Sequence, residues 1–202
     1  MIKTAEPQLQ TQANAGKPRC WWCGEDPLYV AYHDDEWGVP VHDDQRLFEM
    51  LLLEGFQAGL SWITVLRKRE HFRTAFAAFD AAAIARFKKR DLDRLALDAG
   101  IVRNRLKIEA SVTNAQAFLA VRQEKGSFDT FLWQFTGNKT LRDPRGMTRA
   151  RNRATSPESD QMSKALTARG FKFVGSTICY AFMQAVGMID DHVKECWKYQ
   201  AR

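Results

Sequence analysis

The sequence lacks any uninterrupted apolar run that approaches the roughly 20 residues of a membrane-spanning helix. We therefore expect no membrane segment. Cysteine is scarce as well, with 4 residues and no apolar leader ahead of them, which favours a reducing, cytoplasmic compartment over a disulfide-stapled secreted fold. Strand signals are few and short, so the pattern predicts an all-α fold.

At 202 residues the chain can bury a substantial core. Residues 1–19 are polar and have no hydrophobic period, which predicts a disordered tail. Residues 20–202 are predicted to form a single helical domain, built as two closely packed lobes. The formal net charge of +6 favours a polyanionic partner, although charge by itself is weak evidence for nucleic-acid binding.

Helical periodicity begins after Asp43, where apolar residues recur on one face until Gly59. Further helices are predicted over residues 62–76, 81–88, 91–98, 104–123 and 127–135, with breaks at turn residues such as Gly100. The aromatic segment 28–32 follows Pro27, and we expect it to be extended at most.

Two pairs of metal-competent residues lie at opposite ends of the chain: Cys20 with His33, and His192 with Cys196. The i, i+4 spacing of the second pair would place an imidazole and a thiolate on one face of a helix. Two thiolates and two imidazoles suit one tetrahedral Zn²⁺, and such a closed site would be structural, fastening the N-terminal segment to the last helix.

Other interpretations of the same residues stay open. Scattered cysteines and histidines are more often core thiols and surface groups than ligands. Cys20 and Cys23 also form a CxxC pair, but no strand precedes it as a thioredoxin-like redox unit would require. Cys23 could simply be a core thiol.

Residues 137–157 are rich in turn formers and form a predicted loop. Residues 139–153 contain one acid, Asp143, and six basic residues: Lys139, Arg142, Arg145, Arg149, Arg151 and Arg153. The segment is either a soluble linker or an arm that contacts phosphates.

A second turn lies between two helical patterns, one ending at Gly170 and the next starting near Gly175 and Ser176. This is the outline of a helix-hairpin-helix, whose glycines and unpaired N–H groups suit a DNA phosphate. The outline alone is moderately specific, because any helical hairpin uses glycine at its corner.

Glu54 is the unusual acid of the N-terminal half, since leucines and Phe56 surround it. Either it faces inward, where desolvation is costly without a partner, or it points to water at the end of its helix.

Taken together these motifs resemble the 3-methyladenine DNA glycosylase I family, a branch of the helix-hairpin-helix DNA glycosylases. The resemblance covers about residues 19–198. It rests on the segments DPLYVAYHDDEWGVP, LFEMLLLEGFQAGLSWITVLRKRE, DAGIVRNRLKI and KALTARGFKFVGSTICYAFMQAVGMIDDH.

The resemblance implies roles for individual residues. The base-reading acid would be Glu54, with Tyr32 and Trp62 as the aromatic faces that hold the base. The remaining implied residues are listed by role: Trp22, Tyr29 and Trp37 around the pocket; Gly59 and Leu60 as a wedge; Gly170, Lys172, Phe173, Gly175 and Ser176 on backbone phosphate; and Cys20, His33, His192 and Cys196 on one structural Zn²⁺.

The implied activity is hydrolysis of the N-glycosidic bond of 3-methyladenine flipped out of double-stranded DNA, without a lyase step, by a monomer. The wider superfamily uses an aspartate close to Asp190, which we expect here to cap the last helix instead. The alternative function is a non-catalytic, zinc-stabilised DNA-binding module, from which an intact pocket around Glu54 would distinguish an enzyme.

Overall fold

The computed structural model describes residues 16–200 and is mostly helical. Within that range eleven α-helices follow one another, and we number them in chain order. They are α1 Pro27–Asp35, α2 Asp44–Gln57, α3 Trp62–Leu66, α4 Arg69–Ala75, α5 Ala81–Ile84, α6 Lys89–Leu97, α7 Arg105–Lys125, α8 Phe128–Trp133, α9 Pro157–Ala168, α10 Ser176–Ala185 and α11 Trp197–Gln200.

Extended structure is confined to two short strands, β1 Leu141–Arg142 and β2 Ile189–Asp190, which pair in parallel. Three 3₁₀ turns lie at Ala77–Phe79, Gln134–Thr136 and Arg149–Arg151. No helix of the described residues is long and apolar enough to cross a membrane. The prediction of a helical fold is therefore confirmed, with one small parallel ladder added.

Helix α2 forms where periodicity predicts it. The carboxylate of Asp43 accepts a hydrogen bond from the Arg46 amide and caps the first turn. Every residue from Leu47 to Phe56 is buried, so the helix runs through the core and carries Glu54 into it.

Helix α1 contradicts the expectation of an extended segment. Asp26 accepts from the amides of Leu28 and Tyr29 at 3.0 and 3.2 Å, and Pro27 occupies the first helical position. An Asp cap followed by proline is a strong helix start, because proline has no N–H to leave unpaired there. This signal outweighs the β propensity of the aromatic run that follows it.

Residues 62–76 form two helices instead of the single predicted one. Helix α3 closes at Arg67, whose amide bonds to the carbonyls of Ile63 and Val65. Helix α4 then starts after Lys68, whose ammonium donates to the Ala99 carbonyl at 2.7 Å. This tertiary contact holds the break in place.

Helices α9 and α10 are joined by a short turn and pack against each other. The chain leaves α9 through Gly170 at φ +89°, a left-handed conformation that glycine adopts without strain. Gly175 precedes α10.

Of the predicted disordered tail, residues 1–15 lie outside the described range. Its last residues are held by the fold: the Pro18 carbonyl accepts from the Trp197 amide at 2.9 Å. The guanidinium of Arg19 donates two hydrogen bonds to Asp34, at 2.9 and 2.7 Å.

Buried apolar residues form one continuous cluster that extends from Cys20 to Cys196. The division into two closely packed lobes stays a prediction. Helices α2 and α10 pack against each other within this core.

Candidate functional site

A cysteine and histidine cluster joins the two ends of the described chain. Cys20, His33, His192 and Cys196 are all buried, and their ligand atoms lie within 4.8 Å of one another. The Cys196 Sγ is 3.4 Å from His33 Nε2 and 3.6 Å from His192 Nδ1, and the Cys20 Sγ is 3.5 Å from His192 Nδ1. This donor set can hold a metal ion.

Asp34 orients the first histidine of the cluster. The Nδ1 of His33 lies 2.8 Å from Asp34 Oδ1, and because an ionised carboxylate only accepts, this contact favours a proton on Nδ1. The Nε2 atom then faces the Cys196 thiol and the Cys20 amide, both at 3.4 Å. Burial alone would raise the pKa of Asp34, but hydrogen bonds from Arg19 and His33 lower it. The carboxylate therefore stays ionised.

The second pair of cluster residues lies on a turn, which corrects the helical interpretation of its spacing. Val193 pairs with Met147 in an isolated bridge, and the Cys196 amide closes the turn on the Val193 carbonyl at 2.9 Å. Helix α11 begins only at Trp197. Asp190 accepts from the His192 amide at 3.2 Å, so it caps this turn and not the last helix.

The two remaining cysteines are buried thiols outside the cluster, and all four are free. Cys23 donates to the Cys20 carbonyl, with 3.3 Å between the sulfur and the oxygen. Burial raises the pKa of Cys179 to about 12. Cys20 thus belongs to the cluster and Cys23 does not, and no disulfide joins the two in the structure.

A cavity of about 230 Å³ lies beside the cluster and opens to the surface. Glu54 lines it with 3% of its surface exposed, and its Oε2 has no hydrogen-bond partner among the described residues. Burial raises the pKa of Glu54 from its ordinary value of 4.5 to about 8. The indole N–H of Trp62, also on the cavity wall, likewise finds no partner within residues 16–200.

Aromatic rings make much of the wall. Helix α1 supplies Tyr29 and Tyr32, and the rings of Trp22, Trp37 and Trp62 also line the cavity. The centroids of Tyr32 and Trp62 are 5.3 Å apart with planes at 45°. A flat ring inserted between two others needs a separation of roughly 7 Å, twice a van der Waals contact. In this arrangement the two rings form one continuous wall and not the two faces of a slot.

Several lining residues carry no signal in the sequence. Asp191, and not its neighbour Asp190, faces the cavity, and it accepts hydrogen bonds from the hydroxyl of Tyr180 at 2.5 Å and the amide of Gln184 at 2.7 Å. Gln57 and Asn152 line the same cavity. Only the doubled aspartate before His192 could have indicated one of them.

The other expected site residues lie on two exposed turns. Gly59, at φ +83°, and Leu60, 42% exposed, lie on the turn after α2. Phe173, 37% exposed at φ +56°, lies on the turn between α9 and α10. Lys172, Gly170, Gly175 and Ser176 belong to that same turn or its ends.

The basic loop lies over the cavity. Some of its arginines are paired with acidic residues. Met147 and Asn152 from this loop line the cavity. Arg145 pairs with Asp143 at 3.0 Å, and Arg153 approaches Asp191 at 3.7 Å.

Comparisons with known proteins agree on one family. The family model described as methyladenine glycosylase matches residues 22–199. The chain is 51% identical over 181 residues to DNA-3-methyladenine glycosylase 1 of Escherichia coli, covering 90% of this chain and 96% of that protein.

Solved structures agree with the sequence relatives. A crystal structure of 3-methyladenine DNA glycosylase I superposes with a TM-score of 0.87 at 49% identity, covering 89% of this chain and 98% of the other. A structure that describes 3-methyladenine recognition by the Staphylococcus aureus enzyme gives 0.85 at 37% identity, covering 89% and 95%.

The buried acid predicts a pH-dependent stability difference. Because the folded protein holds the Glu54 proton up to about pH 8 while the unfolded chain loses it near 4.5, the stability contributed by this group is complete below pH 4.5. It is lost as pH rises to about 8, by up to about 1.4 kcal/mol per pH unit. Glu54→Gln removes this loss. In urea unfolding, the free energy of unfolding of the variant relative to the parent should therefore increase from pH 5 to pH 8.

Glu49→Gln is the control, because this acid lies on the same helix but pairs with Arg46 and Arg73 at 3.1 and 2.8 Å. Its free energy of unfolding relative to the parent should not increase over the same pH range. Parallel pH profiles for the parent and Glu54→Gln would show that Glu54 is not protonated in the fold.

Proposed function

The chain belongs to the methyladenine glycosylase family, and on that premise we propose that it hydrolyses the N-glycosidic bond of 3-methyladenine in duplex DNA and leaves an abasic site. The observation that carries the proposal is the buried Glu54 carboxyl, without a partner for Oε2 within residues 16–200, in a cavity walled by aromatic rings. A module that only binds DNA would have no use for a buried, unsatisfied acid of this kind.

Charge explains how such a pocket selects the damaged base. Methylation at N3 makes the adenine of the nucleotide cationic and weakens its bond to the sugar. In our proposal an ionised Glu54 accepts from the exocyclic amine and complements this charge, while the wall formed by Tyr32 and Trp62 stacks against the electron-poor ring. Neutral adenine lacks this charge attraction, so its binding does not offset the free-energy cost of ionising Glu54.

The same arrangement supports bond cleavage. As the bond between C1′ and the ring nitrogen breaks, its electron pair stays with the base, which leaves as neutral 3-methyladenine. The sugar becomes an oxocarbenium cation, a water oxygen bonds to C1′, and the water proton is released to solvent. Asp191 is a carboxylate of the cavity wall, and its negative charge would favour the cationic sugar.

DNA would be held by the two exposed turns. Leu60, which is exposed on the turn after α2, would fill the gap that the flipped nucleotide leaves in the stack. We assign α9, its turn and α10 as a helix-hairpin-helix. No side chain of the described residues caps the first turn of α10, so its N–H groups are available to a backbone phosphate.

The cluster would hold one structural Zn²⁺. With Zn–S distances near 2.3 Å and Zn–N distances near 2.0–2.1 Å, a tetrahedral ion separates sulfur and nitrogen ligands by roughly 3.5 Å. The observed separations of 3.4, 3.5 and 3.6 Å fit this geometry. Four protein ligands leave no position for a reacting water, so the ion would stabilise the fold and take no part in the chemistry.

The zinc assignment predicts that metal and stability are lost together. In Cys196→Ser, bound zinc measured by atomic absorption should fall below one per chain and the melting temperature should drop, because ligand binding energy is folding energy in such sites. Cys23→Ser is the matched control, a buried thiol outside the cluster, and should keep its zinc. Full zinc in Cys196→Ser with unchanged melting would refute the assignment.

The basic loop predicts a salt effect. Neutralising Arg149, Arg151 and Arg153 should weaken binding to every DNA sequence alike and reduce the slope of affinity against salt, because lost phosphate contacts release fewer counterions. The exposed arginines Arg86, Arg90 and Arg103, which do not line the cavity, provide a triple variant of equal charge. Equal slopes for the two triple variants would make the loop a linker.

The function is tested most directly on Glu54. We expect the parent to release 3-methyladenine from methylated duplex DNA, and Glu54→Gln to lose roughly 10- to 100-fold in excision. This corresponds to a charge-assisted hydrogen bond of about 1.5–3 kcal/mol. Trp62→Ala should weaken binding of the base by about 1–3 kcal/mol, because one stacking surface is lost.

Released base is identified by chromatography, and 3-methyladenine and adenine are titrated into each variant. Glu49→Gln, whose carboxylate lies outside the cavity lining, should retain activity. Unchanged excision of 3-methyladenine by Glu54→Gln would overturn the pocket assignment.

A further inference from the structure

Helix α7 carries a polar stripe on a buried face. Lys107, Ser111 and Asn114 follow one another at i, i+4 and i+7, with 7%, 1% and 4% of their surfaces exposed. Polar side chains in such positions are costly unless each finds a partner. Ser111 bonds within the helix, to the Lys107 carbonyl at 3.0 Å, whereas the other two reach across to different parts of the chain.

Lys107 binds the end of helix α2. Its ammonium donates to the carbonyls of Phe56 at 2.8 Å and Ala58 at 2.6 Å. The last carbonyls of a helix lack partners within it and carry the negative end of its dipole, so a cation is well suited to close it. No carboxylate of the described residues forms an ion pair with this lysine. Its charge is therefore used on backbone carbonyls.

Asn114 binds the hairpin turn in the same manner. Its side-chain oxygen accepts from the Lys172 amide at 2.7 Å, and its side-chain nitrogen donates to the Lys172 carbonyl at 3.1 Å. Both backbone groups of one turn residue are thus fixed by a single amide. The next residue, Phe173, has the left-handed φ of +56°, a conformation that a bulky residue adopts only when its surroundings impose it.

The two turns held in this way are neighbours in space. A Cβ added to Gly55, near the end of α2, would lie 3.5 Å from the Cβ of Phe173. The ring of Phe173 in turn lies 5.8 Å from the ammonium of Lys107. Leu60 and Phe173 are the large exposed apolar side chains of these turns. One face of one helix therefore sets where both turns lie.

We propose that Lys107 and Asn114 are positioning residues that fix the spacing of the two DNA-contacting turns. Lys107 holds the turn that carries Leu60, and Asn114 holds the turn that grips the backbone. When the two turns are correctly spaced, one turn binds a backbone phosphate while Leu60 on the other enters the base stack. The nucleotide is then displaced into the pocket. The inference rests on the proposed glycosylase function, and it concerns nucleotide flipping, not recognition of the base.

The test compares substrates that do and do not require flipping. Lys107→Met keeps the length of the side chain and removes its donors and charge, and Lys125→Met, an exposed lysine at the end of the same helix, is the matched control. Each protein is assayed under single-turnover conditions on methylated duplex DNA and on the same strand unpaired. Free 3-methyladenine is also titrated into each protein.

For Lys107→Met we expect excision from duplex to fall roughly 10- to 100-fold, which corresponds to about one hydrogen bond to a charged group. Excision from the single strand should fall less than about threefold, because an unpaired base costs little to extrude. Affinity for free base should stay within about twofold. Lys125→Met should match the parent throughout.

Equal losses on duplex and single strand, or a parallel loss of base affinity, would show general damage to the fold or pocket and overturn the proposal. Undiminished excision from duplex would overturn it as well. If Lys107→Met does not fold, Asn114→Ala provides the same comparison with the same expected contrast. A parent protein that releases no 3-methyladenine from either substrate would refute the proposed function itself, which a defect confined to the variants cannot do.

Discussion

Tyr32 and His33 are consecutive residues of helix α1, so whatever fixes the histidine also fixes the wall of the cavity. His33 is held by the Cys196 thiol and the Cys20 amide on one side and by Asp34 on the other. The ring of Trp37 stacks on His33 and meets the ring of His192 edge-on, at 6.2 and 4.6 Å. The cluster therefore does more than join the two ends of the chain. It also helps to position the aromatic rings of the cavity wall.

Three acids differ in whether the fold gives them a charged partner. Glu36 receives two hydrogen bonds from Arg69, each 2.7 Å long, and Glu49 pairs with Arg46 and Arg73. Burial alone would raise the pKa of Glu36, but Arg69 and its neighbours lower it. Glu54 has no such partner in the part of the chain that the structure describes, and its pKa rises to about 8. The unpaired acid costs stability, which the apolar face of α2 offsets, and it is the one acid of the three that a cationic ligand could satisfy.

Charge in the basic loop is directed partly inward. The guanidinium of Arg142 lies 3.6 Å from the ring of Tyr199, and its Nε is 3.5 Å from Asp190. Arg151 donates to the carbonyls of Arg145 and Gly146, at 3.0 and 2.7 Å. The loop thus uses several of its guanidinium groups to hold its own fold over the cavity, and these groups keep their positive charge.

The sequence by itself determined the features that depend on neighbours in the chain. The start of α2 at Asp43, the long helix α7, and the turn between α9 and α10 follow from caps, periodicity and glycine, all of which act within a few residues. Helix α1 had such a signal in Asp26 and Pro27, which the aromatic run obscured. Only the tertiary structure decided that Glu54 faces inward, that Asp191 and not Asp190 lines the cavity, and that His192 and Cys196 meet on a turn. These outcomes depend on which distant segment packs against a residue, and local spacing carries no information about that partner.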